Sequence, residues 1–237
     1  MGRRPHPKQA GRNRGESGRP RLYGRHAVGA ALANPARRLV KLFATHEAVA
    51  RLEVPAGLAV QFGDGADLAR LVPADAPHQG LVLEVEPLEG AWLGDLLVER
   101  EGPIVVLDQV TDPMNVGAII RSAAAFGAAG IVTQDRNSAT ESGALARAAA
   151  GALERVPWAR VVNLARALEE MADAGFWRVG LAGEAEAVLA DALPPGNVAL
   201  VLGAEGEGMR QNTRAHCDVL ARLPMTDAIE SLNVSVA

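Results

Sequence analysis

The chain has 237 residues, of which 49% are hydrophobic and 22% charged, with a formal net charge of −4; this is enough for one large or two modest domains with their own core. Its one cysteine, Cys217, excludes an internal disulfide and the usual zinc spacings, and reads as a small packing residue. No apolar run approaches the roughly eighteen residues of a membrane span, and no apolar segment follows the basic N-terminus as in a signal peptide, so a cytoplasmic protein is expected.

In chain order, the first 25 residues hold eight Arg or Lys against one acid, Glu16. A Gly/Pro/Arg-rich stretch without apolar periodicity predicts a disordered arm over 1–21, either an electrostatic tether for nucleic acid or a solubilising tail. Aromatic residues make up only 3% of the chain, which argues against a base-stacking platform. Next, "LYGRHAVGAALANPARRLVKLFATHEAVARL" predicts a helix from about His26, a strand over Val40 to Ala44 and a second helix. The runs "LAVQFGD", "ADLARLV" and "HQGLVLEVEPL" follow as strand, helix, strand. They close a compact α/β unit over 22–88, and 89–102 reads as a linker.

From Pro103 onward, strands that are apolar throughout alternate with helix-like runs, as in "PIVVLDQV", "NVGAIIRSAAAFGA", "GIVTQ" and "NVALVLG". That alternation predicts a doubly wound parallel sheet of five or six strands covered on both faces, spanning 103–237. Ligands in such sheets sit beyond the carboxyl ends of the strands, so three loops there become candidates.

The first loop lies in "LDQVTDPMNVGAIIRSAAAFGA". Asp112 or Asn115 can cap the following helix, though capping does not account for both. Arg121, two turns on among Ile, Ala, Gly and Phe, is either a solvated side chain or a functional cation. The second, "ALVLGAEGEGMR", is a glycine-rich turn carrying Glu205 and Glu207. Carboxylates repel a pyrophosphate, and the stretch matches neither dinucleotide nor Walker spacing, so a neutral or cationic ligand suits it better. Gly203, Gly206 and Gly208 permit close backbone approach. The third, "LPMTDAIESLNVSVA", ends a strand and leads to Ser231, by itself a natural N-cap for a helix from Leu232. Taken jointly, the three loops bring Asn and Arg, then Glu, then Ser and Asn to one end of a sheet.

In this order, "DPMNVGAIIRSAAAFGA", "LVLGAEGEGMR" and "LPM…SLNVSVA" closely resemble the three signature motifs of the SpoU (TrmH) family of SPOUT RNA methyltransferases. The stretch between the first two also resembles the branch that methylates a guanosine of 23S ribosomal RNA. Upstream, "LYGRHAVGAAL" and "HQGLVLEV" resemble that branch's small RNA-binding domain, of the ribosomal-protein L30e type.

The resemblance implies an α/β fold with a C-terminal trefoil knot, S-adenosylmethionine as cofactor with no metal, a homodimer, and 23S rRNA as substrate, with no membrane or DNA partner. It implies cofactor contacts, largely through backbone, at Gly203, Leu223 and Leu232. Catalytic and substrate-positioning roles fall to Asn115, Arg121, Glu205, Ser231 and Asn233. Leu223 stands where most of the family has isoleucine, and Asp227 where a glycine is common. A guanidinium is a poor base, so Arg121 is expected to hold the neighbouring phosphate and stabilise charge on oxygen, with base action second. Glu205 is expected to orient Arg121 or Asn115. "SLNVSVA" is expected to open a terminal helix that in the family runs ~20 residues further, through the knot to the dimer interface; if Ala237 is the true end, weak dimerisation and a loosely held cofactor loop are expected. Rival readings are the same reaction on tRNA or another rRNA nucleotide, and a non-catalytic RNA-binding assembly factor.

Overall fold

The computed structural model describes residues 18–99, 101–226 and 232–236. Its first unit is a four-stranded mixed sheet. Strand β1 (Arg21–Tyr23) leads through Gly24 into α1 (Arg25–Ala33), then β2 (Leu39–Ala44), a single helical turn α2 (His46–Val49), β3 (Val60–Phe62), α3 (Gly65–Ala69) and β4 (Leu81–Val85). The spatial order is β1-β4-β2-β3, with only β2 and β3 parallel. Capping chemistry sets the short helices: Thr45 accepts from the Ala48 amide, and Asp64 and Asp67 form a reciprocal capping box.

The strand β1 is not among those expected. It holds three residues in an Arg/Pro-rich context and is fixed by pairing with Glu84, Leu83 and Val82 of β4, sixty residues on. The arm expected to be disordered through residue 21 is thus ordered at its end. Arg19 Nε donates to Glu86 at 2.7 Å, and Arg21 lies against Glu84 at 3.6 Å. Residues 1–17, the rest of that arm, lie outside the described residues.

The expected linker contains a helix, α4 (Leu93–Glu99), whose Leu93 and Leu96 are buried against the second sheet. Beyond it come β5 (Ile104–Asp108), α5 (Pro113–Ala125), β6 (Gly130–Gln134), α6 (Gly143–Ala148), a 3-10 turn (Ala152–Glu154) and β7 (Trp158–Val161). The chain continues through α7 (Leu164–Asp173), β8 (Trp177–Leu181), β9 (Ala187–Val188), α8 (Leu189–Ala192), β10 (Val198–Gly203), α9 (Gln211–Ala215) and β11 (Val219–Arg222). Among the described residues this sheet has seven strands, all parallel, in the order β7-β6-β5-β10-β8-β11-β9. Five or six were expected; the excess is β9, a two-residue edge strand too short to carry a period-2 signal.

Alternation along the strands assigns the two faces. On β5, Val105 and Leu107 join the core formed with α5, α6 and the first unit, while Ile104 and Val106 join that formed with α4 and α7. Helices α5 and α9 therefore leave neighbouring strands toward opposite faces. The crevice between the ends of β5 and β10 is the topological switch point where α/β sheets bind ligands.

Candidate active site

Asp112 accepts a 2.9 Å hydrogen bond from the Met114 amide and Pro113 takes the first turn, so Asp112 is the N-cap of α5. That leaves the Asn115 side chain free to bond elsewhere. Its Nδ2 donates to Glu205 Oε1 at 3.1 Å, and its Oδ1 accepts from Asn233 Nδ2 at 3.1 Å. Glu205 Oε1 also accepts from the Val234 amide at 3.2 Å. Two loops that lie 90 and 118 residues beyond Asn115 in sequence are thereby joined at the first turn of α5.

The turn after β10 closes on itself through a pair of backbone bonds between Ala204 and Gly208, at 3.1 and 2.9 Å. A Cβ on Gly203 would stand 2.1 Å from the Gly208 carbonyl carbon, so only glycine fits there. A second tie holds this turn to β5. Asp108, fully buried at the strand end, accepts from the Arg210 amide and from Arg210 Nε, each at 2.8 Å, while Arg210 Nη2 donates to Gln134 Oε1 at 2.8 Å. Sequence reasoning passed over Asp108, Gln134 and Arg210. Asp108 was visible as an acid closing an apolar strand, but its partner is 102 residues away.

Replacing Asp108 by alanine strips Arg210 of its carboxylate, and because that guanidinium keeps some solvent the expected cost is about 2–3 kcal/mol. Thermal unfolding should begin about 5–10 °C lower, and a melting curve matching wild type would count against this tie.

Of the five expected catalytic residues, the structure brings Asn115, Glu205 and Asn233 together. Arg121 is exposed six residues along α5, about 120° round the helix from Asn115. Among the described residues it has no hydrogen-bond or salt-bridge partner, so Glu205 orients Asn115 rather than Arg121. Ser231 lies outside the described residues, as do residues 227–230 of the loop that leads to it. Leu223 follows β11 directly and, like Leu232, is half-buried.

The helix expected from Leu232 is a turn over 234–236. Asn233 Oδ1 accepts from the Ser235 amide at 2.8 Å and from Ser235 Oγ, so Asn233, two residues beyond the expected Ser231, takes the capping position ahead of that turn. Val234 is buried in the core that α5 shares with the first unit, whereas Val236 is exposed. Cys217 lies across the sheet on the α7 side; burial pushes its thiol up to about 11, in keeping with a packing role.

Residues 102–237 match the SpoU rRNA Methylase family, and residues 21–91 match the family described as RNA 2′-O ribose methyltransferase substrate binding. The chain is 41% identical to the 23S rRNA (guanosine-2′-O-)-methyltransferase RlmB of Pseudomonas syringae pv. tomato, over 92% of this chain and 91% of that protein. Among solved structures it is similar to the AdoMet-bound rRNA methyltransferase from Sinorhizobium meliloti, with 27% identity, a TM-score of 0.74, and coverage of 91% of this chain and 82% of that one. A TrmH-family RNA methyltransferase structure from Porphyromonas gingivalis gives 27% identity and a TM-score of 0.73, covering 91% of this chain and 84% of that one.

Proposed function

The chain belongs to the SpoU rRNA methylase family, and from that membership we propose that it methylates the ribose 2′-hydroxyl of a guanosine in 23S rRNA, using S-adenosylmethionine. The observation that carries the choice of substrate is the extent of the likeness to RlmB proteins, which runs through the substrate-binding unit as well as the methyltransferase unit.

The residues present fit the cofactor. The turn after β10 offers backbone groups and two carboxylates, Glu205 and Glu207, a set that repels a diphosphate and suits a cationic sulfur. When bound, S-adenosylmethionine supplies a methyl group activated by its positively charged sulfur. Gly203, Leu223 and Leu232 are the residues that would hold it, chiefly through backbone. Asn115, Glu205 and Asn233 fix the three loops against one another, so that hydroxyl and methyl meet in line without reorganisation. Arg121 would contact the phosphate beside the target ribose and stabilise charge developing on the 2′-oxygen as its proton passes to solvent water, and Ser231 completes the set of positioning residues.

The same reading makes the protein a homodimer. Met114 from the first site loop, and Met225 and Val236 from the third, are exposed apolar side chains of the kind a second copy covers. No helix among the described residues is long and apolar enough to cross a membrane; a protein acting on rRNA belongs in the cytoplasm.

Incubation with radiolabelled S-adenosylmethionine and either 23S rRNA or tRNA transcripts, followed by mass mapping, tests the proposal. Label confined to 2′-O-methylguanosine in 23S rRNA is expected. Label in tRNA alone would favour the rival substrate, and an absence of label in both would favour a non-catalytic binder.

A further inference from the structure

The most deeply buried cation in the described residues lies away from the reacting loops, where the first unit meets the second. The Arg37 side chain is 0% exposed, and the Glu141 and Glu154 side chains are 6% and 4% exposed. Arg37 Nη2 and Nε donate to the two oxygens of Glu154 at 2.5 and 3.1 Å, and Nη1 donates to Glu141 Oε1 at 2.5 Å and to the Glu86 carbonyl at 3.1 Å. The remaining acceptors are used as well. Asn34 Nδ2 donates to Glu154 Oε2 at 2.8 Å, and the Leu88 amide to Glu141 Oε2 at 2.9 Å. One planar fork thus ties the α1–β2 turn and the exit of β4 to residues that precede α6 and follow it.

Such a cluster is a poor device for stability alone. Two carboxylates share one guanidinium, and burial pushes the Glu141 carboxyl above its ordinary range despite Arg37; a well-packed apolar cluster would serve as well. What a satisfied fork adds is geometry. The surrounding contact has no slack either: a Cβ on Gly143 would stand 2.3 Å from the Arg21 carbonyl oxygen, and α1, α5, α6, β2 and β4 share one apolar core.

We propose that Arg37 is a positioning residue for RNA methylation, clamping the substrate-binding unit to the methyltransferase unit in one orientation so that the span from bound RNA to target ribose is set by the fold. The proposal rests on the function assigned above. A rigid pair of sites presents the second contact at high effective concentration, whereas a hinged pair loses that advantage.

The test compares the full chain with the triple variant Arg37→Met, Glu141→Gln, Glu154→Gln, which removes the fork without leaving buried unpaired charge. Spin labels at Glu53→Cys and Asp173→Cys, in a Cys217→Ala background, report the distance between units with no RNA present. The wild-type clamp should give a narrow distribution and the variant a broad one. With 23S rRNA transcript, KM should rise by about tenfold or more while kcat and cofactor affinity hold. Arg37→Lys, which keeps the charge but cannot bridge both acids, should also raise KM. If the triple variant fails to fold, Glu141→Gln alone is expected to give an intermediate broadening and KM. A broad distribution in the wild type, or broadening without a change in KM, overturns the proposal. A narrow wild-type distribution with no methylation of any 23S transcript would instead overturn the assigned function and leave the clamp standing.

Discussion

Replacing Arg121 by alanine should lower kcat for methyl transfer by about 100- to 1,000-fold, the scale set by loss of one preorganised charge-stabilising group. The melting temperature and affinity for S-adenosylmethionine should not move. The reasons lie in its surroundings. Helix α5 is capped by Asp112 and buries Val116, Gly117, Ile119, Ile120 and Ala123, so its stability does not depend on an exposed side chain at position 121. Among the described residues no carboxylate pairs with the guanidinium, which is therefore available to a phosphate or an oxyanion. The network of Asn115, Glu205 and Asn233 excludes Arg121, so its removal should leave the loops in place. Lysine should restore only part of the rate, because it supplies charge without the planar fork. Single-turnover methylation with saturating cofactor separates the effect from binding. A variant that turns over within a few-fold of wild type would remove Arg121 from the chemistry.

What the sequence discloses of this molecule follows the range of the interactions involved. The parallel sheet is legible because the strands of its centre, such as Ile104–Asp108 and Val198–Gly203, are apolar but for the closing Asp108, and that is a local property. The loops of the site are legible because their residue types stand in three compact motifs. The ties between them are not. Asp108 and Arg210 are 102 residues apart, and Arg37 meets Glu154 across 117. Arg37 and Arg38 are neighbours in one polar turn, yet the first is buried and the second exposed, and no pattern of hydropathy separates them. Nor does periodicity find β1 or β9, which are strands only because a longer strand lies beside them. The turn expected from Leu232 is displaced to 234–236 for a related reason: Asn233 Oδ1 takes the Ser235 amide while its Nδ2 reaches Asn115, a long-range bond that a helix-capping rule applied to Ser231 does not anticipate.

Gly203→Ala should be the most damaging single-methyl change in the site. The new Cβ would lie 2.1 Å from the Gly208 carbonyl carbon, 2.2 Å from the Met209 nitrogen and 2.5 Å from the Gly208 oxygen, all of them backbone atoms with no rotamer to yield. Relief requires the turn to open, which breaks the paired bonds between Ala204 and Gly208 and draws Met209 out of the core against α7. Overpacking of this kind costs about 1–3 kcal/mol. Because the displaced backbone is what Gly203 is proposed to offer the cofactor, affinity for S-adenosylmethionine should fall by about tenfold to a hundredfold, since each 1.4 kcal/mol is a factor of ten. Gly206→Ala is the control, for its Cβ would meet nothing within 4 Å and its strain comes only from φ of 81°. It should cost about 1–2 kcal/mol while leaving the Gly203 contact with Gly208 and Met209 intact. Calorimetric titration with S-adenosylmethionine, run beside thermal unfolding of both variants, distinguishes the two effects. If Gly203→Ala binds cofactor as tightly as wild type, the turn after β10 is not the cofactor's seat.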